Sequence, residues 1–324
     1  MMNINKVLIS TLLVFLVTSC IRQENSLDQI ELPPGWTESS LQFEGFTRWY
    51  RVYIPDPLPE NPALVLYLHG GTQSMRAIFS RYAGETQRWF SLAEDESFIL
   101  LVPNGVNAET GDTYGDDQNW NDLRPDNAAD QTRVDDAGFL KTLVDRVSEA
   151  YKVDPDRVFV SGASNGGMMT YRLLIEIPER FSAGAAFIAN LPAPLDNLSH
   201  PVQPTPLMIV NGTLDPLILW EGGTIGKDRG EVVSAGETVR WWVSENLADP
   251  EQLVKSVLPD FNKDDNCRIE IDYYPAGNQG APVLFYSVIG GGHTIPSIDE
   301  PGLDNILTRR ILGPVCRDAD GVSL

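Results

Sequence analysis

Between Arg157 and Thr170 the chain reads RVFVSGASNGGMMT, a short apolar run that breaks at Gly162-Ala163-Ser164-Asn165-Gly166 and resumes with helical spacing. A serine with glycine two places away on either side marks a turn from strand to helix so tight that only residues without bulk fit at the flanks. Val158, Phe159 and Val160 before it suit a buried strand. Met168, Met169, Tyr171, Leu173 and Leu174 after it suit a helix lying on a sheet. The pattern predicts Ser164 as a nucleophile at a helix start, where unpaired backbone amides favour a developing negative charge.

What precedes and follows that turn sets the fold class. Ala63–Leu68, Phe98–Val102, Ala185–Ala189 and Pro206–Val210 are continuous apolar runs of strand length, the signature of strands buried on both faces of a parallel sheet. They alternate with segments of helical spacing at 77–92, 139–151 and 236–246. This rhythm predicts an α/β domain with a mostly parallel central sheet flanked by helices. Leu41–Phe43 and Arg48–Ile54 about Glu44-Gly45 predict a leading pair of strands, Ile269–Tyr274 and Val283–Val288 the last two, and Leu303–Leu312 a closing helix. The stretch from 247 to 266 carries no clear pattern.

Chemistry-bearing residues follow the predicted strands. His69-Gly70-Gly71-Thr72 comes directly after the first buried strand, where a glycine pair lets backbone amides turn outward as half of an oxyanion hole. Asp215, in NGTLDP, and His293, in GGGHTIP, each follow a strand. With three histidines in the chain, the base is His293. His69 lies in the oxyanion loop, and His200 has a surface setting. For the acid, Asp196 and Glu221 lie in the same interval as Asp215. The order Ser164, Asp215, His293 is that of α/β hydrolases and not of chymotrypsin or subtilisin.

Six segments share a further resemblance: LHGGT at 68–72, WND at 120–122, VDDAGFL at 134–140, VDPDRVFVSGASNGGMMTYRL at 153–173, NGTLDP at 211–216 and GGGHTIP at 290–296. Together they resemble the bacterial polyhydroxybutyrate depolymerase and feruloyl esterase family. The resemblance implies an α/β-hydrolase fold and an exported serine esterase acting on phenolic or hydroxyalkanoate esters through an acyl-enzyme. His293 is then the base, Asp215 its orienting acid, and amides near Gly71 or Thr72 and at Asn165 hold the oxyanion. Two positions depart from the family pattern, Asn211 where histidine is frequent and Ile295 where tryptophan is frequent. Both bear on the acyl pocket. Trp120 and Trp220 are candidate pocket walls, with Trp120 equally compatible with an anchor for its long loop.

The remaining features concern location and ligands. Lys6, the apolar run Val7–Val17 and Thr18-Ser19-Cys20 read as a lipoprotein-type signal peptide over 1–19, with Cys20 as the lipidated first residue. A tether at 20–35, an esterase domain at 36–316 and a short tail at 317–324 follow. The mature chain is expected to be held on a membrane by its lipid, facing the periplasm or the cell surface. Cys267 and Cys316 are then an even pair in an exported chain, and a disulfide is expected. A net charge of -21 argues against nucleic acid as a partner. Asp112, Asp116, Asp117, Asp122, Asp126 and Asp130 crowd one long loop without EF-hand spacing, so no metal and no organic cofactor are expected. Asp135 and Asp136 read as helix-capping acids. A catalytically silent binding lipoprotein and a serine peptidase of the same fold are the alternative readings.

Overall fold

The computed structural model describes residues 32–76, 84–125, 134–226, 229–260 and 266–295. The signal run with Cys20, Asp126, Asp130, the predicted helix Leu303–Leu312 and Cys316 lie outside these residues. In chain order the elements are β1 (Trp36–Phe43), β2 (Phe46–Tyr53), β3 (Leu64–Leu68), α1 (Gly84–Asp95), β4 (Ile99–Pro103), α2 (Asp136–Tyr151), β5 (Val158–Ala163) and α3 (Asn165–Glu176). Then come β6 (Ala183–Phe187), β7 (Leu207–Gly212), β8 (Gly223–Thr224), β9 (Glu231–Val232), α4 (Ala235–Glu245), β10 (Val254–Val257), β11 (Arg268–Tyr274) and β12 (Val283–Ile289).

Ten of these strands form one sheet in the order β1-β2-β4-β3-β5-β6-β7-β12-β11-β10. The six central strands, β4 through β12, run parallel, and an antiparallel pair closes each edge. Every residue of β3 and β4 is buried, as their unbroken apolar runs require. Successive side chains divide between the two faces. Leu64, Leu66 and Leu68 pack with Phe139, Leu140 and Leu143 of α2 and with Met168 and Leu174 of α3. Val65 and Tyr67 join Trp36, Tyr53 and Leu100 on the opposite face, with Trp89 and Phe90 of α1 against them.

The edges are built differently. β1 and β2 meet at Glu44-Gly45, both with positive φ, the backbone that matches a two-residue turn to strand twist. All four residues of β10 are exposed. Its Lys255 bonds both carboxylate oxygens of Asp272 at 2.8 Å, and a charged, short edge strand resists pairing with another chain. This strand lies in the stretch whose sequence carried no pattern, because an exposed edge has no apolar periodicity to show. The hairpin β8–β9 was likewise not expected.

Asp135 and Asp136 separate in role. Asp135 caps α2 by accepting from the Gly138 amide at 2.9 Å. Asp136 is instead buried, with Arg48 Nη2 on one oxygen at 2.6 Å and the Asn121 amide on the other at 2.8 Å. Capping therefore accounts for only one of the pair. Arg48 is itself fully buried, its guanidinium 4.0 Å from the centre of the Phe139 ring. Removing one partner of such a pair strands the other charge in the core, so Arg48→Met should lose about 3–5 kcal/mol of unfolding free energy in urea titrations at pH 7.

Candidate active site

Ser164 sits between β5 and α3 with φ 55° and ψ -120°, a conformation that a residue with a side chain adopts only when its surroundings enforce it. The enforcement is steric. A Cβ on Gly162 would run into the Gly166 carbonyl, and one on Gly166 into the carbonyls of Leu68 and His69. The Ser164 amide donates to Phe187 O at 2.9 Å, tying the turn to β6. Its hydroxyl makes no capping bond to its own helix.

Asp215 and His293 are brought together by the pairing of β7 with β12. Gly212 is opposite Val288 in that parallel register, so the loops after the two strands leave the sheet side by side. A Cβ on Gly212 would come within 2.5 Å of the carbonyls of Gly291 and Gly292. Only a glycine permits this approach. Leu214 N donates to Gly291 O at 2.8 Å and Gly290 N to Thr213 Oγ1 at 2.9 Å, lacing the loops together. His293 Nδ1 then lies 2.7 Å from Asp215 Oδ2. The other carboxylate oxygen accepts from the amides of Leu217 and Ile218, both at 2.8 Å. Both side chains are buried. Asp196 and Glu221 are exposed, and His200 is an exposed partner of Glu245 at 2.9 Å. Because β5, β6, β7 and β12 are neighbouring parallel strands, Ser164, Asp215 and His293 all follow carboxyl ends on one edge of the sheet, where open α/β sheets place their sites.

The loop after β3 approaches Ser164 from the other side. Gly71 lies against Asn165, its hypothetical Cβ 3.4 Å from that of Asn165. Thr72, with φ 57°, gives its amide to Asn119 Oδ1 at 3.3 Å. The amides of Gly71 and Asn165 have no acceptor among the described residues. His69 is wholly buried and held at both ring nitrogens. Nδ1 donates to Gly70 O at 2.7 Å and Nε2 accepts from Gly105 N at 3.1 Å, which requires the neutral ring. Burial pushes its pKa from 6.5 down to about 4, with the positive charge of Arg48 adding to the effect and the Gly70 bond opposing it.

Of the two readings of Trp120, loop anchor and pocket wall, the structure supports the anchor. Trp120 is fully buried, its ring lies 4.8 Å from that of His69, and its Nε1 donates to His69 O at 3.0 Å. It anchors a loop and has no surface left to present to a substrate. Trp220 is half-buried and stacks on Phe285 at 5.7 Å. Asn211, at the departure from the family pattern, bonds Ala189 through both amide atoms and reaches Asn190 Oδ1 at 2.9 Å. Three of the loop's described aspartates have protein partners on their carboxylates: Asp112 accepts from the Tyr114 and Gly115 amides, Asp116 from Ser74 and Arg76, and Asp122 from Arg124 and Asn165. Asp122 and Arg124 had no assigned role in the sequence, although a D-x-R pair beside a tryptophan was the available signal.

Residues 47–242 match the family model described as "Putative esterase". The chain belongs to this esterase family. The esterase is 31% identical over 272 residues to "Putative esterase NocK" of Nocardia uniformis subsp. tsuyamanensis, covering 80% of this chain and 74% of that one. It is 26% identical over 274 residues to the poly(3-hydroxybutyrate) depolymerase of Ralstonia pickettii, covering 82% of this chain but 50% of the depolymerase. Among solved structures, the acetyl xylan esterase from Aspergillus awamori superposes with a TM-score of 0.52 at 16% identity, over 80% of this chain and 94% of that one. The fold is that of the α/β hydrolases, and the esterase is a hydrolase of carboxylic esters.

The buried neutral His69 makes stability depend on pH. The unfolded chain takes up a proton near pH 6.5 while the native ring resists until about 4, so the contribution is complete above 6.5 and is lost as pH falls. Between pH 7 and 5 the loss from this group should be about 2 kcal/mol. Urea titrations at the two pH values should show that much less pH dependence in His69→Gln than in the wild type.

Proposed function

We propose that the chain is an exported serine ester hydrolase in which Ser164, His293 and Asp215 form the catalytic triad. The observation that carries this reading is the 2.7 Å contact between His293 Nδ1 and Asp215 Oδ2, on the sheet edge from which the Ser164 turn also projects. With Nδ1–H donated to the carboxylate, Nε2 is the free basic nitrogen. It takes the Ser164 proton as the hydroxyl attacks the ester carbonyl, and returns it to the departing alcohol. The amides of Gly71 and Asn165 stabilise the oxyanion, with that of Thr72 committed to Asn119. Water, activated by the same imidazole, then cleaves the acyl-enzyme.

The substrate class is a neutral ester with an apolar or flat acyl portion, of the feruloyl or hydroxyalkanoate kind. Three features support it: the motif resemblance, the likeness to a hydroxybutyrate depolymerase, and the apolar side chains exposed on the acid loop. There Leu214, Leu217 and Leu219 are 58%, 39% and 43% exposed, beside the half-buried Trp220. The charge of -21 disfavours anionic substrates and favours release of the carboxylate product. The reading includes a lipid anchor at Cys20 and a Cys267–Cys316 disulfide, supported by the signal-like run and by the even cysteine count of a lipidated chain.

The chain lacking residues 1–20 should cleave an aryl acetate, methyl ferulate or a hydroxybutyrate oligomer. Ser164→Ala should lower kcat/KM on the preferred ester by at least about a thousandfold. A folded wild type inactive on all three, or an equally active variant, would leave a binding role in its place. For the anchor, Cys20→Ser should move the expressed protein from the membrane fraction to the soluble exported fraction. An unchanged distribution would remove the lipid from the reading.

A further inference from the structure

The segment Asn119–Arg124 belongs to no helix or strand, yet Trp120, Asn121, Asp122 and Arg124 are all buried. Besides bonds to Val106, Val134, Asp136 and Arg172, it makes a set of contacts to the two backbone stretches that flank Ser164. Towards the loop after β3, Asn119 Oδ1 accepts from Thr72 N at 3.3 Å and Trp120 Nε1 donates to His69 O at 3.0 Å. Towards α3, the Trp120 amide donates to Asn165 Oδ1 at 2.7 Å, and Asn165 Nδ2 donates to Trp120 O at 3.0 Å and to Asp122 Oδ2 at 2.6 Å. Asp122 is in turn gripped by Arg124 through Nε, 3.0 Å from each oxygen, and Nη2 at 2.7 Å. Arg124 Nη1 is fixed on Arg229 O at 2.7 Å.

An asparagine amide with its oxygen and both hydrogens engaged has no freedom to turn. Because that side chain hangs from the residue directly after the nucleophile, its restraint also fixes the direction of the Asn165 backbone N–H. We infer that Asp122, held by Arg124, is a positioning residue that aims the Asn165 amide at the oxyanion, with the side chain of Asn165 as the link. This rests on the reading of Asn165 as an oxyanion donor.

The charges fit the task. A carboxylate acceptor gives a shorter, stronger bond than a neutral one, which suits an element that must not drift by fractions of an ångström. A lone buried carboxylate this near would oppose the negative charge that forms on the substrate. Pairing with Arg124 leaves the unit neutral, so it holds the amide without raising the barrier.

The test exploits the fact that a backbone donor survives side-chain truncation. Asn165→Ala retains the amide and loses all three restraints. On the preferred ester it should lower kcat by about 10–100-fold with KM changed less than about threefold. It should weaken inhibition by an aryl trifluoromethyl ketone, which adds to the serine as an oxyanion, by a similar factor. Asp122→Ala combined with Arg124→Met, which removes both charges, should do the same. Joining these two changes to Asn165→Ala should add less than about a twofold further loss, since the three residues act along one route. A folded Asn165→Ala with kcat and ketone affinity within about twofold of wild type overturns the inference, as do losses that multiply. If the Asp122/Arg124 variant does not fold, the Asn165→Ala result decides alone. Failure of the underlying reading would appear separately, as hydrolysis retained by Ser164→Ala, and would overturn both.

Discussion

Everything at the site depends on how closely three pieces of backbone meet at Gly166. The carbonyls of Leu68 and His69 occupy the space a side chain there would need, so the end of β3 and the start of α3 are in direct backbone contact. The pairing of Leu68 with Gly162 in the β3–β5 register produces this approach. One steric fact therefore brings the Ser164 turn and the Gly71 loop to the same spot. The strained φ of Ser164 costs on the order of 1–3 kcal/mol, and it is sustained because α3 is buried over most of its length and cannot relax without opening the core.

Around that contact the polar groups are buried in matched sets. His69 shows the logic when set beside His293. Both follow strands, but His69 has backbone partners at both nitrogens and Trp120 across its face, so it is a neutral structural bridge between β3 and the segment after β4. His293 has one nitrogen committed to Asp215, and the other has no partner among the described residues. The same economy appears in Arg48–Asp136 and Arg124–Asp122: each buried carboxylate holds an arginine and also a group of the 119–122 segment or its contact Asn165. Buried ion pairs contribute little net stability against an apolar alternative. Their value here is directional, since each carboxylate fixes a part of the 120–122 stretch or its contact beyond the single bridge that pairs Asn119 with Val106.

The parts of this arrangement that sequence reveals are those with a periodic or steric signature. Unbroken apolar runs at Ala63–Leu68 and Phe98–Val102 announced strands buried on both faces, and Gly162 and Gly166 announced the turn because no other residue fits. The contact between Asp215 and His293 was legible because a parallel sheet puts its loops on one edge, so residues following strands converge whatever their separation in the chain. What stayed hidden were contacts between loops. Nothing in the spacing of Asp122, Arg124 and Asn165 shows that they touch, and Trp120 is equally compatible with a pocket wall until its burial is known. β10 was invisible for the opposite reason: its residues face solvent, and solvent imposes no pattern.

The loop that carries Asp215 joins the exposed leucines mechanically to His293. Asp215 divides its carboxylate between His293 and the amides of Leu217 and Ile218, so the turn that presents Leu217 and Leu219 is built on the group that orients the imidazole. A second tether runs from Asn211 to Asn190 at 2.9 Å and from Asn190 Nδ2 to Leu219 O at 3.2 Å. The departure at Asn211 thus reaches the apolar loop through one intervening side chain, although it lies inside β7 and faces no solvent. Three leucines held outward by buried polar tethers are a cost in water, and in the proposed function the apolar portion of the ester offsets it. Residues of that surface share a loop with Asp215, so in the proposed function changes in substrate choice and in the orientation of His293 are coupled through Asp215.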